Sequence, residues 1–239
     1  MCNMERFQRQ HCSPRDTLAA HMSEAACVDA VENIVLVVDD DADMREALQD
    51  LLESAHLHSL AFASASEYLS ASKPDVPTCL ILDVHLPDIN GLALQQQIAG
   101  AGPPIIFITA QGDVPSTVKA MKAGAIDFFT KPFQSAELLA AVRAALEEDR
   151  RNRLAHAELA SLQARLASLT PRERDVLPLI ASGLLNKQAA AELGISEFTV
   201  QIHRGNVMRK MNASSLADLV RMAGKLGIPI THSRRTDIQ

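Results

Sequence analysis

The fold of this 239-residue chain is decided by one stretch, Cys79-Leu80-Ile81-Leu82-Asp83-Val84-His85-Leu86-Pro87-Asp88-Ile89-Asn90-Gly91. Its first four residues are apolar, Asp83 ends the apolar run, and Pro87 and Gly91 break regular structure. A short apolar run bounded by turn residues predicts a strand that is buried on both faces of a parallel sheet. Ligands of open α/β sheets bind beyond the carboxyl ends of such strands, so Asp83 lies where chemistry is expected. Capping of the strand-to-loop turn is the alternative role for this residue.

Apolar strand patterns alternate with helical patterns on both sides of this stretch. Strands are predicted at Ile34 to Val38, His58 to Phe62, Cys79 to Leu82, Ile105 to Ile108 and Ile126 to Phe129. Helices are predicted between them, at about Met44 to Leu52, Ser66 to Leu69, Leu92 to Ala99, Pro115 to Ala123, and onward from Ser135. This alternation predicts an α/β fold with a doubly wound parallel sheet of five strands.

The length and composition of the chain favour two domains and exclude several classes of protein. A chain of 239 residues exceeds the common size of one domain. No apolar run approaches the roughly 20 residues that span a bilayer, so no membrane association is predicted. The four cysteines form no CxxC pair, which argues against a zinc site or a disulfide framework and predicts a cytoplasmic protein.

Charge is distributed unevenly along the chain. From Arg165 to the C-terminus, 11 Lys and Arg residues face 6 Asp and Glu residues, a net charge of +5. The rest of the chain carries a net charge of −11, so that the whole reaches −6. An acidic half joined to a basic half indicates that only the second half meets a polyanion.

Polar residues end four of the predicted strands, and parallel strands direct these ends to one edge of the sheet. The residues are Asp39, Asp40, Asp83, Thr109 and Lys131. Ionised carboxylates cannot share a site without a counter-charge, and Mg²⁺ suits a few carboxylates. A carboxylate beside Mg²⁺ can attack an activated phosphoryl group, and a hydroxyl and an ammonium group would then stabilise the phosphoryl oxygens. We therefore expect a phosphoacceptor pocket with Asp83 as the nucleophile.

Each of these residues also has an ordinary structural role. Asp40 to Asp43 would serve as the N-cap and first-turn acids of a helix. Thr109 would simply end a strand, and Lys131 would be a solvated lysine before a proline. The ordinary roles would have to coincide at four separate strand ends, so the shared pocket is the favoured interpretation.

The basic half carries the signals of a helix-turn-helix. Thr170, Pro171 and Glu173 predict a capped helix start, and Gly183 predicts the end of that helix. A short second helix at about Lys187 to Leu193, closed by Gly194, leads to a third from about Glu197 to Met211, and a final one lies near Ser215 to Leu226. The third helix is expected to enter the major groove of DNA. A small helical bundle that binds only protein is the alternative.

The regions outside these two domains are predicted to be a linker and two loose ends. Leu159, Leu162, Leu166 and Leu169 follow the 3-4-3 spacing of a short coiled coil, but one helix packed on its own domain explains them equally well. The predicted boundaries are a disordered extension at 1–31, a sheet domain at 32–148, a helical linker at 149–168, an all-α domain at 169–230 and a flexible tail at 231–239. Met1 and Met22 are both candidate start residues.

Four motifs of the first half resemble the receiver domain of bacterial two-component response regulators. They are Val37–Asp41, Leu82–Gly91, Ile108–Ala110 and Asp127–Phe133. The resemblance implies a flavodoxin-like fold and a sensor histidine kinase that phosphorylates Asp83. It implies that Asp39, Asp40 and Asp83, with the backbone carbonyl of His85, hold Mg²⁺, and that Thr109 and Lys131 contact the phosphoryl group.

The same resemblance implies how phosphorylation would be read out. Thr109 and Phe128 would form a switch pair: the hydroxyl turns toward the phosphoryl group and the aromatic ring swings inward. The Lys131-Pro132 peptide bond is expected to be cis. The side chains of His85 and Gln111 would tune the hydrolysis of the phosphoryl group. Dimerisation through the fourth helix and fifth strand would follow.

Three segments of the second half look like the LuxR-type DNA-binding domain, and the two halves together resemble a NarL/FixJ-type transcription regulator. The segments are Leu169–Leu177, Gly183–Lys187 and Ile195–Arg204. The resemblance implies that Gln201, Ile202 and Gly205 face base edges of promoter DNA. It implies that phosphates are contacted by Lys187, Thr199, His203, Arg204 and Lys210. It also implies a homodimer on phosphorylation, commonly a transcriptional activator, with RNA polymerase as a further candidate partner.

Two other functions are compatible with these residues. One is a Mg²⁺-dependent phosphohydrolase, although His85 stands where such enzymes usually keep a second carboxylate two residues after the nucleophile. The other is a constitutive DNA-binding regulator whose receiver serves only for dimerisation. The expected protein is not an enzyme beyond its own phosphorylation and dephosphorylation at Asp83.

Overall fold

The computed structural model describes residues 32–100, 102–110 and 114–230 of the chain. The predicted N-terminal extension, Gln111 and the predicted tail from Thr231 lie outside the described residues. The structure therefore bears on the sheet domain, the linker and the helix-turn-helix, and the boundaries at both ends of the chain stay predictions.

A parallel sheet forms the centre of the first half of the chain. Its strands are β1 (Ile34–Val38), β2 (Ser59–Phe62), β3 (Thr78–Asp83), β4 (Ile105–Thr109) and β5 (Asp127–Thr130). The strand order is β2-β1-β3-β4-β5, and every neighbouring pair is parallel. The predicted doubly wound α/β sheet is confirmed, and β5 differs from its predicted range by one residue at each end.

The helices of this half follow the strands in alternation and cover both faces of the sheet. They are α1 (Ala42–Ser54), α2 (Ala65–Ser70), α3 (Gly91–Gln97), α4 (Val114–Lys122) and α5 (Ser135–Ala167). Alternate residues of each central strand enter different cores, as the pleat requires. Leu80 and Leu82 of β3 belong to one core, whereas Cys79 and Ile81 belong to the core on the other face. This two-sided burial explains why the strand is a continuous apolar run.

The last helix of the sheet domain does not stop at the predicted linker. Helix α5 is a single element of 33 residues, and the predicted linker is its C-terminal half. Two leucines of the predicted coiled-coil seam, Leu162 and Leu169, are only 4% and 3% exposed. Leu169 belongs to the core of the helical domain, and Leu166 packs against the same core. Because these leucines pack within one chain, the structure favours intramolecular packing of the helix over a coiled coil.

The second half of the chain is a helical domain. Its helices are α6 (Pro171–Ala181), α7 (Asn186–Leu193), α8 (Glu197–Met211) and α9 (Leu216–Lys225). The predicted capping box forms: the Thr170 hydroxyl accepts from the backbone N–H of Glu173, whose carboxylate accepts from the N–H of Thr170. Gly194 ends α7 with a φ of 64°, a left-handed conformation that glycine adopts without strain. None of the helices in the described ranges combines the length and the apolar character needed to cross a membrane.

A buried carboxylate fastens α5 to the sheet. The Asp149 carboxylate accepts a 2.8 Å hydrogen bond from the backbone N–H of Thr78, the first residue of β3, and a 2.6 Å hydrogen bond from Arg153. Arg153 also pairs with Asp75. Burial, followed by the negative charge of Asp149, raises the pKa of the neighbouring Cys79 thiol. The hydrogen bond between Thr78 and Asp149 joins residues that are 71 positions apart in the chain.

We expect Asp149→Ala to lower the free energy of unfolding by about 2–4 kcal/mol, because it leaves the Thr78 N–H unsatisfied and removes a partner of Arg153. Urea unfolding followed by the fluorescence of Tyr68, the single tyrosine of the chain, measures this loss. Asp149→Asn keeps a hydrogen-bond acceptor and should lower the free energy of unfolding by less than Asp149→Ala. The control is Arg150→Ala on the exposed side of the same helix, with an expected change within about 0.5 kcal/mol. Equal effects of Asp149→Ala and Arg150→Ala would contradict a stabilising role for the contacts of Asp149 with Thr78 and Arg153.

Candidate functional site

Three carboxylates meet at the carboxyl edge of the sheet. Oxygens of Asp39, Asp40 and Asp83 lie within 4.8 Å of one another. Asp39 follows β1 and is 2% exposed, and Asp83 ends β3 and is 6% exposed, whereas Asp40 faces solvent. Since β1 and β3 are adjacent and parallel, the sheet itself brings these side chains together.

Lys131 supplies the counter-charge to this cluster. Its Nζ lies 2.7 Å from Asp39 Oδ2 and 3.0 Å from Asp83 Oδ2. Burial lowers the pKa of Lys131, but the hydrogen bonds and charges of the two carboxylates outweigh this effect and hold the pKa above its ordinary value. Burial raises the pKa of Asp39, and the hydrogen bond from Lys131 offsets part of that rise. The Lys131-Pro132 peptide bond is cis, as the resemblance implies.

The loop after β3 orients Asp83. While Oδ2 contacts Lys131, Oδ1 accepts a 2.9 Å hydrogen bond from the backbone N–H of His85. The loop then returns so closely that a Cβ on Gly91 would lie 2.3 Å from the backbone oxygen of Asp83. Glycine is therefore required at this position by the close approach of two backbone segments.

The acidic run after β1 combines both roles that the sequence suggests. Asp41 caps α1, because its carboxylate accepts from the backbone N–H groups of Asp43 and Met44. Asp39 faces the pocket, and its Oδ1 accepts from the N–H of Asp41. Sequence reasoning missed Arg45, which donates a 2.7 Å hydrogen bond to the backbone oxygen of Asp39. An arginine in the first turn of a helix carries no pattern that would have revealed this contact.

The two residues of the predicted switch lie on β4 and β5. Thr109 is fully buried, and its Oγ1 lies 3.3 Å from Nδ1 of His85. Phe128 is half-buried against the apolar core, with its ring centroid 6.1 Å from that of Phe107. A movement of the hydroxyl and the ring on phosphorylation stays a prediction, as does a role for the His85 carbonyl as a metal ligand.

This pocket suits a small hard cation. Carboxylate oxygens are the protein ligands that Mg²⁺ prefers, and Mg²⁺ usually keeps several waters, as the exposure of Asp40 on one side allows. Asp83 would share such a cation with Asp39 and Asp40. The arrangement also leaves Asp83 beside one ammonium group, which can stabilise negative charge added to its oxygens.

A second candidate surface lies on α8. Gln201, Ile202 and Gly205, which are expected to face base edges, are all exposed, and Ile202 is 49% exposed. Gly205 faces open space, since a Cβ there would meet no atom within 4 Å. The opposite face of the helix buries Val200 and Val207 in the domain core.

The residues expected to contact phosphate differ in the exposure of their side chains and in their hydrogen-bond partners. Lys187 on α7 is exposed. Thr199 lies at the start of α8 with its hydroxyl 2.7 Å from that of Ser196. His203 is half-buried, and its Nδ1 has no hydrogen-bond partner in the part of the chain that the structure describes.

Two expected phosphate contacts are engaged within the domain. Arg204 donates a 3.2 Å hydrogen bond to the side chain of Asn186. The Lys210 ammonium lies 2.6 Å from the Glu173 carboxylate, and this hydrogen bond lowers the pKa of Glu173. A contact of Lys210 with phosphate stays a prediction, and it would have to compete with this ion pair.

Comparison with known proteins matches both halves of the chain. Residues 35–143 match the response regulator receiver domain, and residues 167–223 match the luxR family of bacterial regulatory proteins. Nodulation protein W of Bradyrhizobium diazoefficiens is 52% identical over 207 residues, which cover 86% of this chain and 91% of that protein. Transcriptional regulatory protein FixJ of Azorhizobium caulinodans is 45% identical and covers 81% of this chain and 93% of that protein.

A solved structure has the same architecture. The low-resolution structure of response regulator StyR matches with a TM-score of 0.73 and 46% identity, over 81% of this chain and 99% of that one.

We expect Lys131→Met to lower the free energy of unfolding by about 2–4 kcal/mol near neutral pH, because the buried carboxylates lose their counter-charge. The pKa of Asp39, already raised by burial, would rise further. A carboxyl group with a raised pKa in the folded state destabilises the fold above that pKa, so the deficit should shrink as the pH falls. Urea unfolding of wild type and variant across the pH range measures it, with Lys122→Met at the exposed end of α4 as the control. A deficit that is the same at every pH would contradict the electrostatic cause.

Proposed function

Since the chain belongs to the two-component response regulators that join a receiver domain to a LuxR-type DNA-binding domain, we propose that phosphorylation of Asp83 controls its binding to promoter DNA. Membership in this family makes it a transcription regulator with a kinase and DNA as partners. The observation that carries the proposal is the position of the Lys131 ammonium between Asp39 and Asp83, beside Asp40.

Asp39, Asp40 and Asp83 would hold Mg²⁺ together with the backbone carbonyl of His85. The cation, when bound, supplies positive charge that shields an incoming phosphoryl group from the carboxylates. The clustering of three carboxylates supports this assignment, since carboxylates that lie close together repel one another and a divalent cation between them would relieve that repulsion.

In the proposed transfer, an oxygen of the Asp83 carboxylate attacks the phosphorus of a phosphohistidine on the kinase. One O–P bond forms, the N–P bond breaks, and the histidine nitrogen keeps the electron pair of that bond. Lys131 would move its ammonium group from the Asp83 carboxylate to a phosphoryl oxygen, and the Thr109 hydroxyl would donate to another. We infer that the protein is not an enzyme beyond the phosphorylation and dephosphorylation of its own Asp83.

Phosphorylation would change the conformation of β4, β5 and α4. Movement of Thr109 toward the phosphoryl group would leave room for Phe128 to turn inward. Helix α4 presents a stripe of exposed apolar side chains, with Val114, Val118 and Met121 exposed by 76%, 44% and 44%. An apolar stripe of this kind supports pairing of two receiver domains through the face formed by α4 and β5.

The paired DNA-binding domains would place two copies of α8 in successive major grooves. Gln201, Ile202 and Gly205 would face base edges, and exposed Lys187 would contact phosphate. His203 would also contact phosphate, as would Thr199, Arg204 and Lys210 after release from their present partners. The proposed division assigns 32–148 to the receiver, 149–168 to the linker and 169–230 to the DNA-binding domain. We further propose a cytoplasmic location, transcriptional activation and contact with RNA polymerase.

We expect the purified chain to take up one phosphoryl group from acetyl phosphate only when Mg²⁺ is present. Asp83→Asn should take up none, and Asp40→Asn should need more Mg²⁺ for the same rate. Intact-protein mass spectrometry measures the uptake, and Asp50→Asn on the exposed side of α1 is the control. Labelling that survives Asp83→Asn would refute the site, and steady turnover of a generic phosphomonoester would favour a phosphohydrolase instead.

We expect Val118→Lys to block dimerisation while leaving phosphorylation intact, because the substitution places a charge in the centre of the apolar stripe. Size-exclusion chromatography with light scattering, with and without acetyl phosphate and Mg²⁺, measures the change. Leu69→Lys on α2 is the matched control, since Leu69 is 42% exposed. If the unphosphorylated wild type is already dimeric and binds its operator as tightly as the phosphorylated protein does, a constitutive regulator is favoured.

A further inference from the structure

Two large apolar side chains, Phe198 and Ile202, are exposed to solvent on the outer face of α8. The proposed DNA contacts include Ile202 but not Phe198. Phe198 is 71% exposed and Ile202 is 49% exposed. They are four residues apart, so they lie one above the other on the same side of the helix. Single exposed apolar residues are ordinary on protein surfaces, but neighbouring ones on one face form a contiguous apolar patch, and such patches mark binding sites.

Neither side chain is needed by the core of the domain. The core receives Val200, Val207 and Met211 from the opposite face of α8, and all three are fully buried. The start of the helix is secured by Ser196, whose hydroxyl accepts from the backbone N–H of Thr199. Since Phe198 serves neither packing nor capping, its exposure calls for another explanation.

The exposed strip of the helix from Phe198 to Gly205 is uncharged. Its exposed members are Phe198, Gln201, Ile202 and Gly205. The arginine on this part of the helix, Arg204, is half-buried and donates to Asn186. Between Phe198 and Gly205 the strip therefore offers one amide and two apolar side chains for recognition, and the next exposed residue on this face is Arg209.

We propose that Phe198 is a specificity-determining residue that packs on the C5 methyl group of thymine in the major groove. This rests on the proposed insertion of α8 into DNA. The thymine methyl is the one apolar group on the major-groove edges of the bases, and apolar side chains, phenylalanine among them, recognise it. Continuity with Gln201 and Ile202 and the net charge of +5 from Arg165 onward favour DNA as the occupant of this surface.

The experiment replaces single thymines by deoxyuridine, which removes the C5 methyl group and nothing else. Phosphorylated full-length protein first selects its preferred sequence from a randomised duplex library. Each thymine of the selected duplex is then replaced in turn. Affinities of wild type and Phe198→Ala are measured by fluorescence anisotropy at one fixed salt concentration, because phosphate contacts depend strongly on salt.

For wild type, we expect the replacement to weaken binding about fourfold at one or two positions, the effect of burying about one methyl group. Phe198→Ala should bind the thymine and deoxyuridine duplexes equally at those positions, and Phe198→Leu should recover part of the discrimination. Ile202→Ala should leave the Phe198-dependent positions sensitive to the methyl group. Leu154→Ala is the matched control, since Leu154 is 66% exposed on α5 and should affect no position.

Two outcomes separate this assignment from the function on which it rests. If wild type enriches a duplex and Phe198→Ala retains every methyl effect, or weakens thymine and deoxyuridine duplexes alike, the assignment of Phe198 is wrong and α8 remains a DNA-binding helix. If phosphorylated wild type enriches no duplex, the proposed role of α8 is wrong, and the assignment is overturned with it.

Discussion

The contact of one lysine with two buried carboxylates constrains everything at the functional edge of the sheet. A buried carboxylate is unstable without a partner, and Asp39 and Asp83 share the ammonium of Lys131. Lys131 donates its backbone N–H to the oxygen of Thr109, so its backbone stays beside β4 while its side chain reaches across the end of β3. The charged state of Asp39 and Asp83 therefore depends on the strand order and on the loop after β5, which together place Lys131 beside them.

The parts of this arrangement that are local in the sequence could be predicted from it. The apolar run before Asp83 indicates a central strand because its residues enter two cores alternately. The capping box of Thr170 and Glu173 is readable because hydrogen bonds three residues apart follow from residue type alone. The convergence of the strand ends follows from parallel topology, which the alternation of strands and helices already indicates.

Contacts between distant parts of the chain could not be predicted in this way. Asp149 reaches Thr78 across 71 positions. It continues the helical spacing of buried Ala145 and Leu146, but that spacing does not reveal which backbone N–H its carboxylate meets. The pairing of Lys210 with Glu173 is a similar case, because a basic residue near the end of a recognition helix reads as a phosphate contact until its neighbour is known. The exposure of Phe198 is equally hidden, since an aromatic residue in a helix is ordinarily expected in the core.

Helix α5 makes the two halves of the molecule share a single mechanical element. With 33 residues it is a rod of about 50 Å, and it contributes Val142 to the core beside the sheet and Leu166 to the core of the helical domain. Arg165 near its end also donates to the backbone oxygen of Met211, the last residue of α8. Such a rod transmits torsion: each residue added or removed within it would turn everything downstream by about 100°. The length of this segment, counted in single residues, thus sets the angular phase between the acidic pocket and the DNA-facing helix.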